Sequence, residues 1–136
     1  MVGELLLDTS ALVGLLDRSQ RVHDACAAFY ASWEGPVATT EAVLTESTHL
    51  LSTVRRGGST CLEFVLESEV LVVPSTPSSI RHCRNLMDKY ADMDFADATL
   101  VVLAEDLNTD LVFTVDRDFD VYRIHGRKRF NMVPEL

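Results

Sequence analysis

The chain has 136 residues, 47% of them hydrophobic and 24% charged, with a net charge of −9. Those values exclude a disordered chain, and no apolar run approaches the roughly 20 residues that cross a bilayer. An acidic balance of this size speaks against general adhesion to nucleic-acid phosphates, yet it leaves room for clustered carboxylates that hold a cation.

The opening stretch MVGELLLDTS lacks the basic front end and long apolar core of a secretion signal. Cys26, Cys61 and Cys83 are odd in number and contain no C-x-x-C pair, so a disulfide framework and a zinc site are both disfavoured and a reducing, cytoplasmic home is expected. The length suits one domain over residues 1–136.

In chain order, Glu4–Asp8 reads as a short apolar strand, and Ser10–Leu16 as a helix capped by Thr9 or Ser10. Val22–Trp33 has helical spacing, with Phe29, Tyr30 and Trp33 suited to packing. GPVATT is a second strand ending at Thr39 or Thr40. A helix follows through about Arg55, striped by Val43, Leu44, Leu50, Leu51 and Val54, and Gly57 and Gly58 end it. Leu62–Leu66 is helical and VLVVP is an all-apolar strand. PSTPSS then makes a strand-to-helix turn with residues suited to capping. Ile80–Tyr90 and Phe95–Leu107 are helices, Leu111–Val115 is a third apolar strand, and RFNMVP is an edge strand.

Strands that alternate with helices and are apolar on both faces imply an α/β chain with a central parallel sheet covered on each side. Ligands of such sheets bind beyond the carboxyl ends of the strands. Asp8 and Asp116 each follow an apolar strand, so both project at that edge. Glu46 shares a helix face with Ala42, Val43 and Leu50, and Asp97 opens a helix whose residues 100–104 are apolar all round.

Each acid also has a structural reading. Asp8 suits a helix cap, Asp94 and Asp97 suit an N-cap and the third helical position, and Asp116 suits a turn. Together they weigh differently, because carboxylates a few ångströms apart repel by roughly 4 kcal/mol per pair at an effective dielectric of 20. A divalent cation bound by oxygen ligands reverses that sign and activates water for attack on a phosphodiester.

The blocks LLLDTSALVGLL, VLTESTHLL, YADMDFADATLVVLAE and FTVDRDFDVYR, in this order, resemble the four motifs of PIN-domain ribonucleases of the VapC-type toxin branch, over roughly Leu5 to Pro134. The resemblance implies a three-layer α/β/α fold with a central parallel sheet and an endoribonuclease dependent on Mg²⁺ or Mn²⁺. It also implies a toxin that forms a homodimer and is held by an antitoxin. Asp8 and Asp97 match the main metal ligands, with Glu46 and Asp116 completing the set; Asp118 or Asp94 could take the fourth place. Ser10 and Thr114 match hydroxyls that support the site.

Arg117, Arg123 and Arg127, with Lys128 and Arg129, form a basic run that suits either a phosphate-contacting rim or a solvated surface. His49, one turn after Glu46, reads as a helix-surface residue. Three rivals remain. A phosphoaspartate receiver needs an acidic pair near the first strand and a lysine after a late one, and Leu111–Val115 is followed by none. A dehalogenase-like phosphatase needs an acid where Ser10 stands. A PIN-like domain without catalysis would serve as a protein-binding module.

Overall fold

The computed structural model describes residues 3–136. Five strands, β1 (Leu5–Leu7), β2 (Val37–Thr40), β3 (Leu71–Val73), β4 (Leu111–Phe113) and β7 (Asn131–Val133), form one sheet in the order β3-β2-β1-β4-β7. Every neighbouring pair in it is parallel. A small antiparallel hairpin, β5 (Arg123–Ile124) and β6 (Lys128–Arg129), stands apart. The helices are α1 (Thr9–Leu16), α2 (His23–Ser32), α3 (Glu41–Leu50), α4 (Gly57–Glu67), α5 (Pro77–Lys89) and α6 (Phe95–Leu107).

Alternation along the strands divides the apolar residues between two cores, which gives three layers. Leu6, Ala38 and Val112 face a core shared with α5 and α6, closed by Phe119, Tyr122 and Phe130. Leu5, Leu7, Val37 and Phe113 face the other, with Leu12 of α1, Cys26 of α2 and Cys61 and Val65 of α4. Phe29 packs on Phe113 at a centroid distance of 5.2 Å and stacks with Trp33, so this aromatic group closes the second core. Cys26, Cys61 and Cys83 are buried free thiols.

Four local expectations need correction. Neither Thr9 nor Ser10 caps α1: Asp8 occupies the N-cap position and makes no side-chain cap bond there. The helix carrying Glu46 stops at Leu50 and tightens into a 3₁₀ turn over Leu51–Thr53, with Leu50 left 51% exposed. Its buried stripe runs Val43, Ser47, Leu51, and the serine in the middle hides the period from a hydrophobicity reading. Gly57 and Gly58 begin α4 instead of ending α3, and Arg56, with φ 55°, is the left-handed residue before it. Helix α5 starts at Pro77, ahead of Ile80, because Thr76 and Ser79 form a reciprocal capping box and proline tolerates the first helical position. VLVVP does form a strand, but at the sheet edge, where Leu71 is 52% exposed.

The sheet order creates the site. From β1 the sheet is extended to one side by β2 and β3 and to the other by β4 and β7, so the strand order, with all strands parallel, switches sides between β1 and β4. Beyond the carboxyl ends of those two strands a crevice opens, and Asp8 and Asp116 sit at its lips.

Candidate active site

Asp8 leaves β1 immediately after the buried leucines and is itself 3% exposed. Its Oδ2 accepts one hydrogen bond from Ser10 Oγ and one from Thr114 Oγ1, each 2.7 Å. The same two hydroxyls accept from the backbone N–H groups of Val115 and Asp116, both at 3.0 Å. Each hydroxyl has one proton, and with both spent on Asp8 their 3.1 Å approach to each other is packing. The clasp ties the end of β1 to the end of β4 and fixes which oxygen of Asp8 faces outward. Burial raises the Asp8 carboxyl to about 6; the two hydroxyls oppose that rise and the charge of Asp116 adds to it.

Asp97 lies in the first turn of α6, 7% exposed. Asp94 caps that helix, its Oδ1 accepting from the Asp97 N–H at 2.8 Å. The Tyr122 hydroxyl donates to Asp97 Oδ2, also at 2.8 Å. Burial pushes the Asp97 carboxyl up to about 8; the Tyr122 bond opposes this, while the charges of Asp94, Asp8 and Asp116 reinforce it. Tyr122 is driven well above the usual phenol range, first by burial and then by Asp97, so it acts as a neutral donor.

Asp116 caps the 3₁₀ turn Arg117–Asp120, accepting from the Asp118 N–H at 2.9 Å. That turn folds Asp118 back, and one oxygen each from Asp97, Asp116 and Asp118 lies within 4.8 Å of the others. Asp116 raises the Asp118 carboxyl by its charge. Glu46, half-buried on α3, is raised by burial and by the charges of Asp94 and Asp116. The sequence candidates Asp8, Glu46, Asp94, Asp97, Asp116 and Asp118 therefore share one crevice, with Asp97, Asp116 and Asp118 the tightest group. His49 points elsewhere, exposed.

Helices α3 and α6 are fixed relative to each other by hydroxyls that sequence reading passed over. The Val43 N–H donates to Thr40 Oγ1, Thr40 meets Thr99 Oγ1 at 2.8 Å, and Thr99 donates to the Ala96 carbonyl. This buried chain orients the helix of Glu46 against that of Asp97. Tyr122 was also missed, since a tyrosine among apolar neighbours reads as core; a phenol just beyond a run of aspartates was the available signal.

The basic run divides in the folded chain. Arg123 directs Nη1 at the carbonyls of Asp120, Val121 and Tyr122, closing the end of the 3₁₀ turn. Lys128 pairs with Asp110, and Arg129 with Asp120. Arg127 sits at the hairpin turn beside His125, whose N–H donates to Glu105. Glu105 is eight residues beyond Asp97 on α6, about 12 Å along the helix axis, so Arg127 is set well back from the acids. Arg117 stands beside Asp116, its side chain 82% exposed and only loosely paired with Asp120 at 3.6 Å.

A hard divalent cation fits this crevice. Among the described residues, none of Asp8, Glu46, Asp97, Asp116 and Asp118 has an ion-pair partner. Thr9 buries a hydroxyl that lies close enough to Glu46 to lower that carboxyl's pKa without reaching full hydrogen-bond geometry, so its oxygen has capacity left. An all-oxygen donor set lacking counter-charge suits Mg²⁺ or Mn²⁺ with retained waters. Tyr122→Phe is expected to keep the fold, raise the Asp97 pKa further and weaken Mn²⁺ binding at neutral pH about 10-fold. Calorimetric Mn²⁺ titration over a pH series reads this directly, and unchanged affinity throughout would leave the phenol a packing group.

Residues 5–124 match a family profile described as PIN domain. No curated protein matches the chain in sequence. Among solved structures, Mycobacterium tuberculosis VapC20, described as a sarcin–ricin-loop-cleaving toxin, superposes with a TM-score of 0.80 at 21% identity, covering 86% of this chain and 93% of that one. A toxin–antitoxin complex from Klebsiella pneumoniae gives 0.63 at 16% identity, covering 83% and 87%. VapBC2 from Rickettsia felis, bound to a promoter DNA fragment, gives 0.64 at 13% identity, covering 95% and 98%. These likenesses establish the fold, a parallel sheet between two helical layers.

Proposed function

The chain belongs to the PIN-domain family, and on that premise we propose that it is an endoribonuclease using Mg²⁺ or Mn²⁺ to hydrolyse RNA phosphodiester bonds. The observation that carries this reading is the crevice of carboxylates without cationic partners at the β1–β4 switch point.

Asp8 and Asp97 are the principal ligands in this reading, and Glu46 and Asp116 complete the site and orient the attacking water. Asp118 stands close enough to share the fourth position. A bound divalent cation supplies an acidified water and neutralises charge on the leaving oxygen. Ser10 and Thr114 hold Asp8 ionised and aimed outward. Tyr122 partly offsets the burial that raises Asp97, orients one of its oxygens and leaves the other for the ion. Asp94 fixes the first turn of α6, and with it the direction in which Asp97 projects. Arg117 is the nearest cationic contact for an RNA phosphate. Arg123, bonded to backbone carbonyls, supports the turn that presents Asp116 and Asp118.

As in the VapC and toxin–antitoxin structures it resembles, the chain is read as the toxin of a pair, its partners a cognate antitoxin and a second copy of itself. Leu62 and Leu66, one turn apart on α4, are 47% and 77% exposed, and Leu71 on the edge strand adds to the apolar surface available for protein contacts. No helix among the described residues is long and apolar enough to cross a membrane, and a cytoplasmic location is part of the same proposal.

The direct test incubates the purified protein with structured and single-stranded RNAs in Mg²⁺, Mn²⁺ or EDTA. Cleavage with either metal and none with EDTA is the expected result. Failure to cleave any RNA, together with no Mn²⁺ binding by calorimetry, would replace the enzyme with a PIN-like binding module.

A further inference from the structure

Two grooves each contain a residue that supports the acids. Thr114, which holds Asp8, lines a groove that also contains Arg117. Tyr122, which holds Asp97, lines a second with Lys89, Tyr90, Asp92, Asp118 and Val121. The second groove is built by the end of α5, the loop before α6 and the end of the 3₁₀ turn.

Its chemistry is mixed in a particular way. Lys89 is exposed, and among the described residues it has no carboxylate within ion-pair distance. Its Nζ lies 5.2 Å from the centre of the Tyr90 ring. Val121 is 61% exposed on the groove wall and gives it an apolar surface. The groove thus offers one free cation, an aromatic residue and an apolar wall, and it opens into the catalytic crevice through Asp118. A single nucleotide has the matching parts: a phosphate for the ammonium, and a sugar and base for the apolar surfaces.

We infer that this groove is the subsite for the nucleotide on one side of the scissile phosphate, with Lys89 contacting its phosphate and Tyr90 and Val121 its sugar and base. The assignment rests on the nuclease reading of the neighbouring acids. It makes the strand cross the acids from the Lys89 groove toward Arg117. Lys89 is a positioning residue: its ammonium, on the wall of the groove next to Gly126 of the hairpin turn, lowers the repulsion a polyanion meets on entering the groove, and it reads no base identity.

Binding is measured in the Asp97→Asn background, without divalent metal, by fluorescence anisotropy with an end-labelled single-stranded RNA of about twelve nucleotides and mixed sequence. Adding Lys89→Ala is expected to raise Kd about fivefold near 50 mM salt and to reduce the slope of log Kd against log salt by about 0.7, the loss of one phosphate contact on a single strand. Lys89→Arg is expected to keep the slope. Unchanged Kd and slope in Lys89→Ala, or no binding by the Asp97→Asn parent at that salt, overturns the subsite. The two readings fail separately. Lys89-dependent binding without cleavage by the native chain in Mn²⁺ removes the nuclease and keeps the nucleotide groove. Cleavage with KM unaltered by Lys89→Ala, alongside unaltered binding, removes the groove and keeps the nuclease.

Discussion

Asp97→Asn is expected to reduce RNA cleavage on the order of a thousandfold and, in the same molecule, to make the metal-free protein more resistant to heat at pH 8. The first effect follows from losing the charge at the centre of the acid cluster, where the proposed reading places the cation. The second follows from the cost of that charge. Asparagine keeps a carbonyl oxygen to accept the Tyr122 bond and occupies nearly the same volume, so the interior stays filled. What disappears is an ionisable group whose pKa the fold raises to about 8.

A carboxyl raised in the folded state binds more protons there than in the unfolded chain, so folding stability falls as pH rises through the window between the two pKa values. For Asp97 that window runs from the ordinary carboxyl value of 3.8 to about 8, and for Asp8 from 3.8 to about 6. The native metal-free protein should therefore lose thermal stability from about pH 4 upward and level off above about pH 8. The Asp97→Asn variant should show a shallower loss, carried by Asp8 and by the raised Glu46 and Asp118 carboxyls, with a Tm roughly 5–10 °C above the native chain at pH 8. Mn²⁺ should restore the native chain at pH 8 and do much less for the variant. Thermal melts across pH, with and without metal, test this; a variant less stable than the native apo protein at every pH would mean that the cluster is not under repulsion.

The second large effect is Gly57→Ala. A Cβ at position 57 would lie 2.1 Å from the Leu51 carbonyl oxygen and 3.0 Å from both the Leu51 carbonyl carbon and Val54 Cβ. Backbone atoms cannot step aside as a flexible side chain can, and the 3₁₀ turn that places Leu51 is pinned by the Gly57 N–H donating to Val54 at 2.8 Å. A cost of about 3 kcal/mol or more is expected, lowering Tm by about 10 °C. Gly58→Ala is the control. Its added carbon would meet only Thr48, at 3.8 Å, and alanine favours the helix, so that variant should be as stable as the native chain or slightly more so. Equal melting temperatures for the two variants would show that the α3–α4 junction relaxes.

The same glycines show where sequence reading runs out. A glycine pair after an apolar stripe is the usual mark of a helix end, and nothing local reveals that a carbonyl six residues earlier forbids a side chain. Ser47 misleads in a similar way, since a buried serine interrupts the apolar period and made exposed Leu50 look like part of the stripe. The parallel sheet was legible because Leu5–Leu7 and Leu111–Phe113 are apolar on both faces, which only a doubly covered strand can afford. The crevice was legible for the related reason that Asp8 and Asp116 follow those strands. The residues holding Asp97 and Glu46 in place were not: Tyr122, Thr40 and Thr99 look like ordinary core and cap residues until tertiary contacts pair them. The basic run was ambiguous because its partners, Asp110 and Asp120, are recognisable only once the hairpin has folded.

The hydroxyl clasp around Asp8 bridges positions 106 apart in sequence through Thr114, and 105 apart through the Val115–Ser10 bond. Because β1 and β4 are neighbours in the sheet while all six α-helices and strands β2 and β3 lie between them in the chain, the contact closes only after most of the molecule is in place. Regain of activity on dilution from denaturant should consequently track the slowest refolding phase, with no early burst. A chain cut in the loop after β3 should be inert as either half and recover only when the halves assemble, which makes the architecture a natural scaffold for a split-enzyme reporter.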